Sequence, residues 1–192
     1  ECMAQSNLDW LCIDMQHGCI DYSDVVPMLT AISTTSITPF VRVPWNEPSM
    51  IMKVLDAGAY GVIVPMVSNR AEAERAAAAC RYPPRGIRSN GPNRVLFYGG
   101  SDYQKHADNE VACMVMIETA EALANLDDIL STPGIDGAYI GPTDLALAIG
   151  LPPVMDNDDP KHIATVNKIL AACQQYKVVD RKSTRLNSSH AN

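Results

Sequence analysis

A parallel α/β architecture of the (β/α)₈ barrel type is the fold this 192-residue sequence predicts. Short apolar runs alternate strictly with longer helix-like stretches, five times over, and such alternation produces a parallel sheet covered by helices. Four polar residues, His17, Arg42, Glu118 and Asp144, each stand where one of those runs stops. In a parallel barrel the strand ends converge on one face, so residues far apart in sequence meet there. No Gly-x-Gly-x-x-Gly turn follows a strand, which counts against a doubly wound dinucleotide fold. An eight-stranded barrel needs about 250 residues, so the chain is expected to be a fragment with about five of the eight strands, open at both ends.

The elements follow in order. Residues 10–14 form a buried strand that runs into Met15-Gln16-His17-Gly18. Asp21 to Asp24 offers N-cap residues for a helix over 25–33, with Pro27 in its first turn. Residues 40–43 form the second strand, closed by Pro44-Trp45-Asn46, and a helix follows from about Pro48 to Ala57. Its apolar Ile51, Met52 and Leu55 share one face, and Gly58 is its natural C-cap. Residues 61–65, Gly-Val-Ile-Val-Pro, are apolar on both faces, as parallel strands are. An alanine-rich helix over 69–81 leads into 81–100, rich in proline and glycine, which reads as a long loop and not an element. Loops of that length in compact domains are usually functional or disordered, and this one is expected to help select part of the substrate. Strand 111–117, helix 120–130, strand 138–140, the short helix 145–149 and a last helix over 160–176 complete the pattern.

A formal charge of −7 argues against a nucleic-acid footprint, which needs a basic face. No apolar stretch is long enough to cross a membrane, and the N-terminal residues carry no secretory signal. Six scattered cysteines without a Cys-x-x-Cys pair suggest neither a disulfide framework nor zinc, and so a reducing, cytoplasmic compartment.

The strand-end residues have a chemistry in common. Two carboxylates, Glu118 and Asp144, suit a hard divalent cation such as Mg²⁺ or Mn²⁺; equally, each can cap the helix that follows it. Arg42 lies within an apolar strand, where a charge must be paired or used. Its planar fork fits a carboxylate or an enolate oxygen, and a structural ion pair is the competing reading. His17 is the one histidine at a strand end, whereas His106 and His162 fall in loop and helix contexts. Histidine is the usual general base near neutral pH. Asp56 could orient its imidazole, or serve only as a polar residue of a last helical turn.

The runs WLCIDMQHG (10–18), FVRVPWNEP (40–48), LDAGAYGVIVPMV (55–67), RYPPRGIRS (81–89), MIETAEALANLDDI (116–129) and IDGAYIGPTDLALAIG (135–150) closely resemble the HpcH/HpaI aldolase family of the citrate lyase superfamily. The resemblance covers roughly residues 8–176 and implies a class II pyruvate aldolase on a TIM barrel of the phosphoenolpyruvate/pyruvate type. It implies Glu118 and Asp144 as ligands of Mg²⁺ or Mn²⁺, with Co²⁺ also possible. Arg42 would stabilise the enolate oxygen, and His17, oriented by Asp56, would be the acid/base acting through a metal-bound water. Backbone amides around Pro142, Thr143 and Asp144 would hold the carboxylate of a small-molecule 2-oxo acid. The implied reaction cleaves a 4-hydroxy-2-oxo acid to pyruvate and an aldehyde. Oxaloacetate decarboxylation or carbon–carbon bond formation of the macrophomate synthase kind is the alternative, and an inactive remnant of an open barrel is a third reading. Family members assemble as hexamers, so the full-length protein is expected to be a homo-oligomer. The chain departs from the family at Gln16, where Glu is frequent, and at Met116, where many members carry Gln.

Residues 180–190, Asp-Arg-Lys-Ser-Thr-Arg-Leu-Asn-Ser-Ser-His, back-translate in frame into a common sequencing adapter. The aldolase domain is therefore expected to span 1–179, and 180–192 to be a disordered artefact.

Overall fold

The computed structural model describes residues 1–182. After a short 3₁₀ turn, the chain runs β1 (Trp10–Asp14), α1 (Tyr22–Ile32), β2 (Thr38–Arg42), α2 (Pro48–Ala57), β3 (Gly61–Val64) and α3 (Arg70–Cys80). It continues through α4 (Leu96–Gly99), α5 (Tyr103–Glu110), β4 (Ala112–Ile117), α6 (Ala120–Ala124) and α7 (Leu126–Leu130). The last described elements are β5 (Gly137–Ile140), α8 (Pro142–Ala148), α9 (Pro160–Tyr176) and β6 (Val179–Lys182). All strand pairs are parallel, and the spatial order β1-β2-β3-β4-β5-β6 is the chain order. A doubly wound sheet reverses its strand order at a switch point. A monotonic order is how a (β/α)₈ barrel is laid down, so the sheet is part of such a barrel.

Local sequence explains the elements. The Asp24 side chain accepts the Asp21 N–H at 2.9 Å and closes the first turn of α1. Pro48 opens α2, whose Ile51, Val54 and Leu55 are fully buried, each contributing roughly 1.5–3 kcal/mol. Gly58 ends that helix at φ 120°, a conformation glycine tolerates, and a side chain there would collide with the Tyr98 hydroxyl. Asn69 caps α3 by accepting the Glu72 N–H at 3.1 Å. Two apolar layers result: a large one between sheet and helices, and a small one inside the sheet's curve, built from Ile63, Met114 and Met116 with Trp10, Phe40 and Tyr139. The inner-layer residues alternate along their strands, so Asp14, Arg42 and Met116 stand on that same inner face.

Four expectations change. The sheet has six strands, not five, because Val179–Lys182 pairs with β5. Residues 180–182 thus belong to the sheet, although the sequence assigns them to a disordered tail; the rest of that tail, 183–192, lies outside the described residues. The segment 81–100, read as a loop, contains α4, and a polar helix α5 follows that the apolar pattern did not reveal. The helix expected over 120–130 is two, α6 and α7, meeting at Asn125.

Candidate active site

The ends of β1, β2, β4 and β5 carry the site. Parallel register places Asp14, the last residue of β1, directly opposite Arg42, the last of β2. The guanidinium embraces the carboxylate in two bonds, Nε donating to Oδ1 at 2.8 Å and Nη2 to Oδ2. Burial by itself would raise Asp14 and lower Arg42. The hydrogen bonds and charge of the pair outweigh it, leaving the carboxyl below and the arginine above their ordinary values. Asp14 also accepts the Gln16 N–H at 3.0 Å, and the His17 amide bonds to it as well. One carboxylate therefore fixes both the arginine and the turn that presents the exposed His17. The remaining Arg42 nitrogen, Nη1, faces the Met116 sulfur at 3.8 Å.

Glu118 follows β4 and is 2% exposed. Its Oε1 accepts the Met66 N–H at 2.9 Å, while Oε2 is buried with no partner among the described residues. Met66 reaches that bond from φ 57°, a left-handed conformation that costs a non-glycine residue about 1–2 kcal/mol. Burial raises the Glu118 pKa; the Met66 bond opposes this, Asp144 adds to it, and Arg42 and His17 pull it down. The two carboxylates, the arginine and the histidine are thus within electrostatic reach of one another. Asp144 is exposed in the first turn of α8 with Pro142 and the half-exposed Thr143 beside it. Ahead of them, Gly141 leaves the space Glu118 needs: a Cβ there would lie 2.4 Å from Oε2.

Among the described residues, no group of three or more His, Cys, Asp or Glu side chains is gathered to hold a metal. Two carboxylates, one with a buried and unpartnered oxygen, fit a hard divalent cation whose other positions are taken by water and substrate oxygens. That orphaned oxygen is otherwise hard to justify, because buried polar atoms are nearly always paired.

Asp56 does not join this group. Helix α2 runs back along the sheet for ten residues, about 15 Å, and Asp56 sits in its last turn, at the opposite end from the site. Its carboxylate is taken by Arg88, whose Nη2 donates to Oδ1 at 2.8 Å, and no hydrogen bond joins it to His17. Within the chain, Asp56 therefore does not orient His17. The 81–100 segment hangs at that same far end, where the Val95 N–H bonds to the Asp56 carbonyl at 3.2 Å, so within the chain it is not placed to select substrate. Sequence reasoning also missed Asp14, Met66 and Gly141. Asp14 was the findable one, as the neighbour across the sheet of an arginine that had to be paired.

The sequence profile of the HpcH/HpaI aldolase/citrate lyase family matches residues 1–189. The chain belongs to that family. It is 51% identical over 166 residues to the hydroxypyruvate/pyruvate aldolase of Rhizorhabdus wittichii, covering 86% of this chain and 66% of that protein. It is 39% identical over 152 residues to 5-keto-4-deoxy-D-glucarate aldolase of Escherichia coli, covering 78% of this chain and 59% of that one. The chain thus spans less than two thirds of these relatives' length. A crystal structure of an HpcH/HpaI aldolase/citrate lyase family protein from Burkholderia cenocepacia J2315 superposes with a TM-score of 0.86 at 33% identity, covering 94% of this chain and 73% of that one. The HpcH/HpaI family fold and the six-stranded partial barrel described above are the same architecture.

Proposed function

We propose that the protein is a divalent-metal-dependent aldolase that cleaves a 4-hydroxy-2-oxo acid to an aldehyde and pyruvate, or a close relative of pyruvate such as hydroxypyruvate. The observation that carries this reading is the Glu118 carboxylate, buried with Oε2 unpartnered, beside Asp144 and Arg42. Glu118 and Asp144 would hold Mg²⁺ or Mn²⁺, with Co²⁺ a further candidate, and a cation bound there would polarise the 2-oxo group of the substrate. The residues supply the rest. His17 takes the proton of the 4-hydroxyl as the C3–C4 bond breaks, releasing the aldehyde and leaving the bonding electrons on pyruvate as its enolate. Arg42, held still by Asp14, offers Nη1 to the enolate oxygen; donors of this kind are typically worth about 10²–10³ in rate. The Thr143 and Asp144 N–H groups, in the first turn of α8 and without partners inside the helix, receive the substrate carboxylate. Return of that proton from His17 to C3 of the enolate completes pyruvate and restores the base.

The exposed Phe97 and Ile87 support assembly of the whole protein as a homo-oligomer, hexameric by family resemblance. Among the described residues no helix is long and apolar enough to cross a membrane, and unpaired cysteines support a cytoplasmic setting. The test is pyruvate release from a 4-hydroxy-2-oxo acid with Mg²⁺ or Mn²⁺. Turnover that persists under chelation, or full activity in Glu118→Ala, would overturn the proposal. Metal-dependent turnover of oxaloacetate alone would favour the decarboxylase, which uses the same enolate-stabilising residues.

A further inference from the structure

His162 is 1% exposed and belongs to none of the groups described above. It lies in the first turn of α9, and its Nε2 meets the Pro142 carbonyl at 3.2 Å. A carbonyl oxygen only accepts, so Nε2 carries the proton, and Nδ1 is left buried with no partner among the described residues. A histidine accepted into the core at that cost makes one bond, and that bond lands on the segment that carries Asp144. In a trans peptide the C=O and the next N–H point in opposite directions. Holding the Pro142 oxygen toward α9 therefore turns the Thr143 N–H the other way, toward the end of α8 that follows β5. The neighbouring Gly141 lies against the unpartnered Glu118 Oε2, which is an independent sign that something is received at this point. Helix α8 is only seven residues long, so its own hydrogen bonds hold its first turn weakly. An external anchor has an effect there.

We propose that His162 is a positioning residue, whose Nε2–H fixes the Pro142–Thr143 peptide and so holds the Thr143 amide in place for the carboxylate of the 2-oxo acid. This rests on the functional reading above, which assigns that amide to the carboxylate. A carboxylate contact is made equally in the ground and transition states, so its loss raises KM and leaves kcat largely intact.

The test compares His162→Leu, which fills the space without a donor, with His162→Gln, whose terminal amide can reach the same carbonyl. In the full chain with Mg²⁺, His162→Leu should weaken binding of pyruvate and of its planar analogue oxalate about tenfold. KM should rise in parallel and kcat change little, while His162→Gln stays within about threefold of the parent. Hydrogen exchange of the peptide covering 142–146 should accelerate in His162→Leu and not in His162→Gln, at similar melting temperatures. Unchanged KM and exchange in a folded His162→Leu would overturn the proposal, as would equal damage from both variants. If the parent binds neither pyruvate nor oxalate, the functional reading fails, while the exchange comparison still decides whether His162 holds the peptide.

Discussion

Replacing Glu118 by Gln should move stability in opposite directions with and without metal. The side chain is 2% exposed, with one oxygen bonded to the Met66 N–H and the other without a partner. Glutamine keeps the shape and the Met66 bond, and removes the buried charge together with its repulsion from Asp144. An unsatisfied buried group costs about 1–3 kcal/mol, more when charged. Taking about 2 kcal/mol as recovered, and about 2–4 °C per kcal/mol for a domain of this size, the chelator-treated variant should melt about 4–8 °C above the parent near pH 7.5. With Mn²⁺ at a hundred times its dissociation constant, the parent gains about 2.7 kcal/mol, or about 5–11 °C on the same scale. The variant, lacking the ligand charge, should gain little, so the order of melting temperatures closes or reverses. Differential scanning calorimetry with chelator and with Mn²⁺ reads both arms. A variant less stable than the parent under chelation, or one stabilised by Mn²⁺ as much as the parent, would refute the reasoning.

Gly141→Ala places a methyl 2.4 Å from Glu118 Oε2 and should cut Mn²⁺ affinity about 10–100-fold, read by titration calorimetry; unchanged affinity would mean that Oε2 is not a ligand. Asp14→Asn tests the Arg42 pair through pH. Because the folded pKa of Asp14 lies below its ordinary 3.8, the pair's stabilisation is full above that value and is lost as pH falls through the lower folded one. Urea unfolding should therefore show a gap between parent and variant that is constant from about pH 5 to 7 and closes in stronger acid; a gap independent of pH would count against the pair. Arg88→Met leaves Asp56 without its partner and removes a fully buried guanidinium that lies 4.7 Å from the Tyr82 ring and 5.4 Å from that of Tyr103. Melting should reveal a loss of about 3–5 kcal/mol, with Mn²⁺ affinity intact because the two sites occupy opposite ends of the sheet.

What the sequence made legible divides along one physical line. Residues at strand ends, His17, Arg42, Glu118 and Asp144, are visible because an apolar run announces where a strand stops, and parallel strands stop at one face. Asp56 could not be placed from sequence, because a residue in a last helical turn gives no sign of which side chain it will meet; within the chain α2 carries it to the end of the sheet opposite His17, against Arg88. Met66 required backbone dihedrals, which no single segment encodes. Strand β6, Val-Asp-Arg-Lys, and helix α5, Tyr-Gln-Lys-His-Ala-Asp-Asn-Glu, lack an apolar period of their own. Both form because neighbouring elements offer them a place: an unpaired edge at β5, and a pocket that buries only Tyr103 and Ala107 of α5.

The two readings of Arg42, structural ion pair and substrate ligand, are not alternatives in this geometry. A guanidinium has five N–H donors in a rigid fork, and Asp14 engages only the Nε and Nη2 edge. The cation is partly neutralised by this, which weakens its pull on an enolate. In return its orientation is settled before substrate arrives, and preorganised donors stabilise developing charge without reorganising. Met116 completes the arrangement. A thioether is a weak acceptor, so Nη1 is held near the site without being satisfied, and an enolate oxygen displaces a contact worth little. A carboxamide at the same position would offer a stronger competitor for that N–H. The methionine at 116 is therefore compatible with enolate stabilisation by Arg42, and what it alters is the set of hydrogen-bond donors left to recognise the rest of the 2-oxo acid.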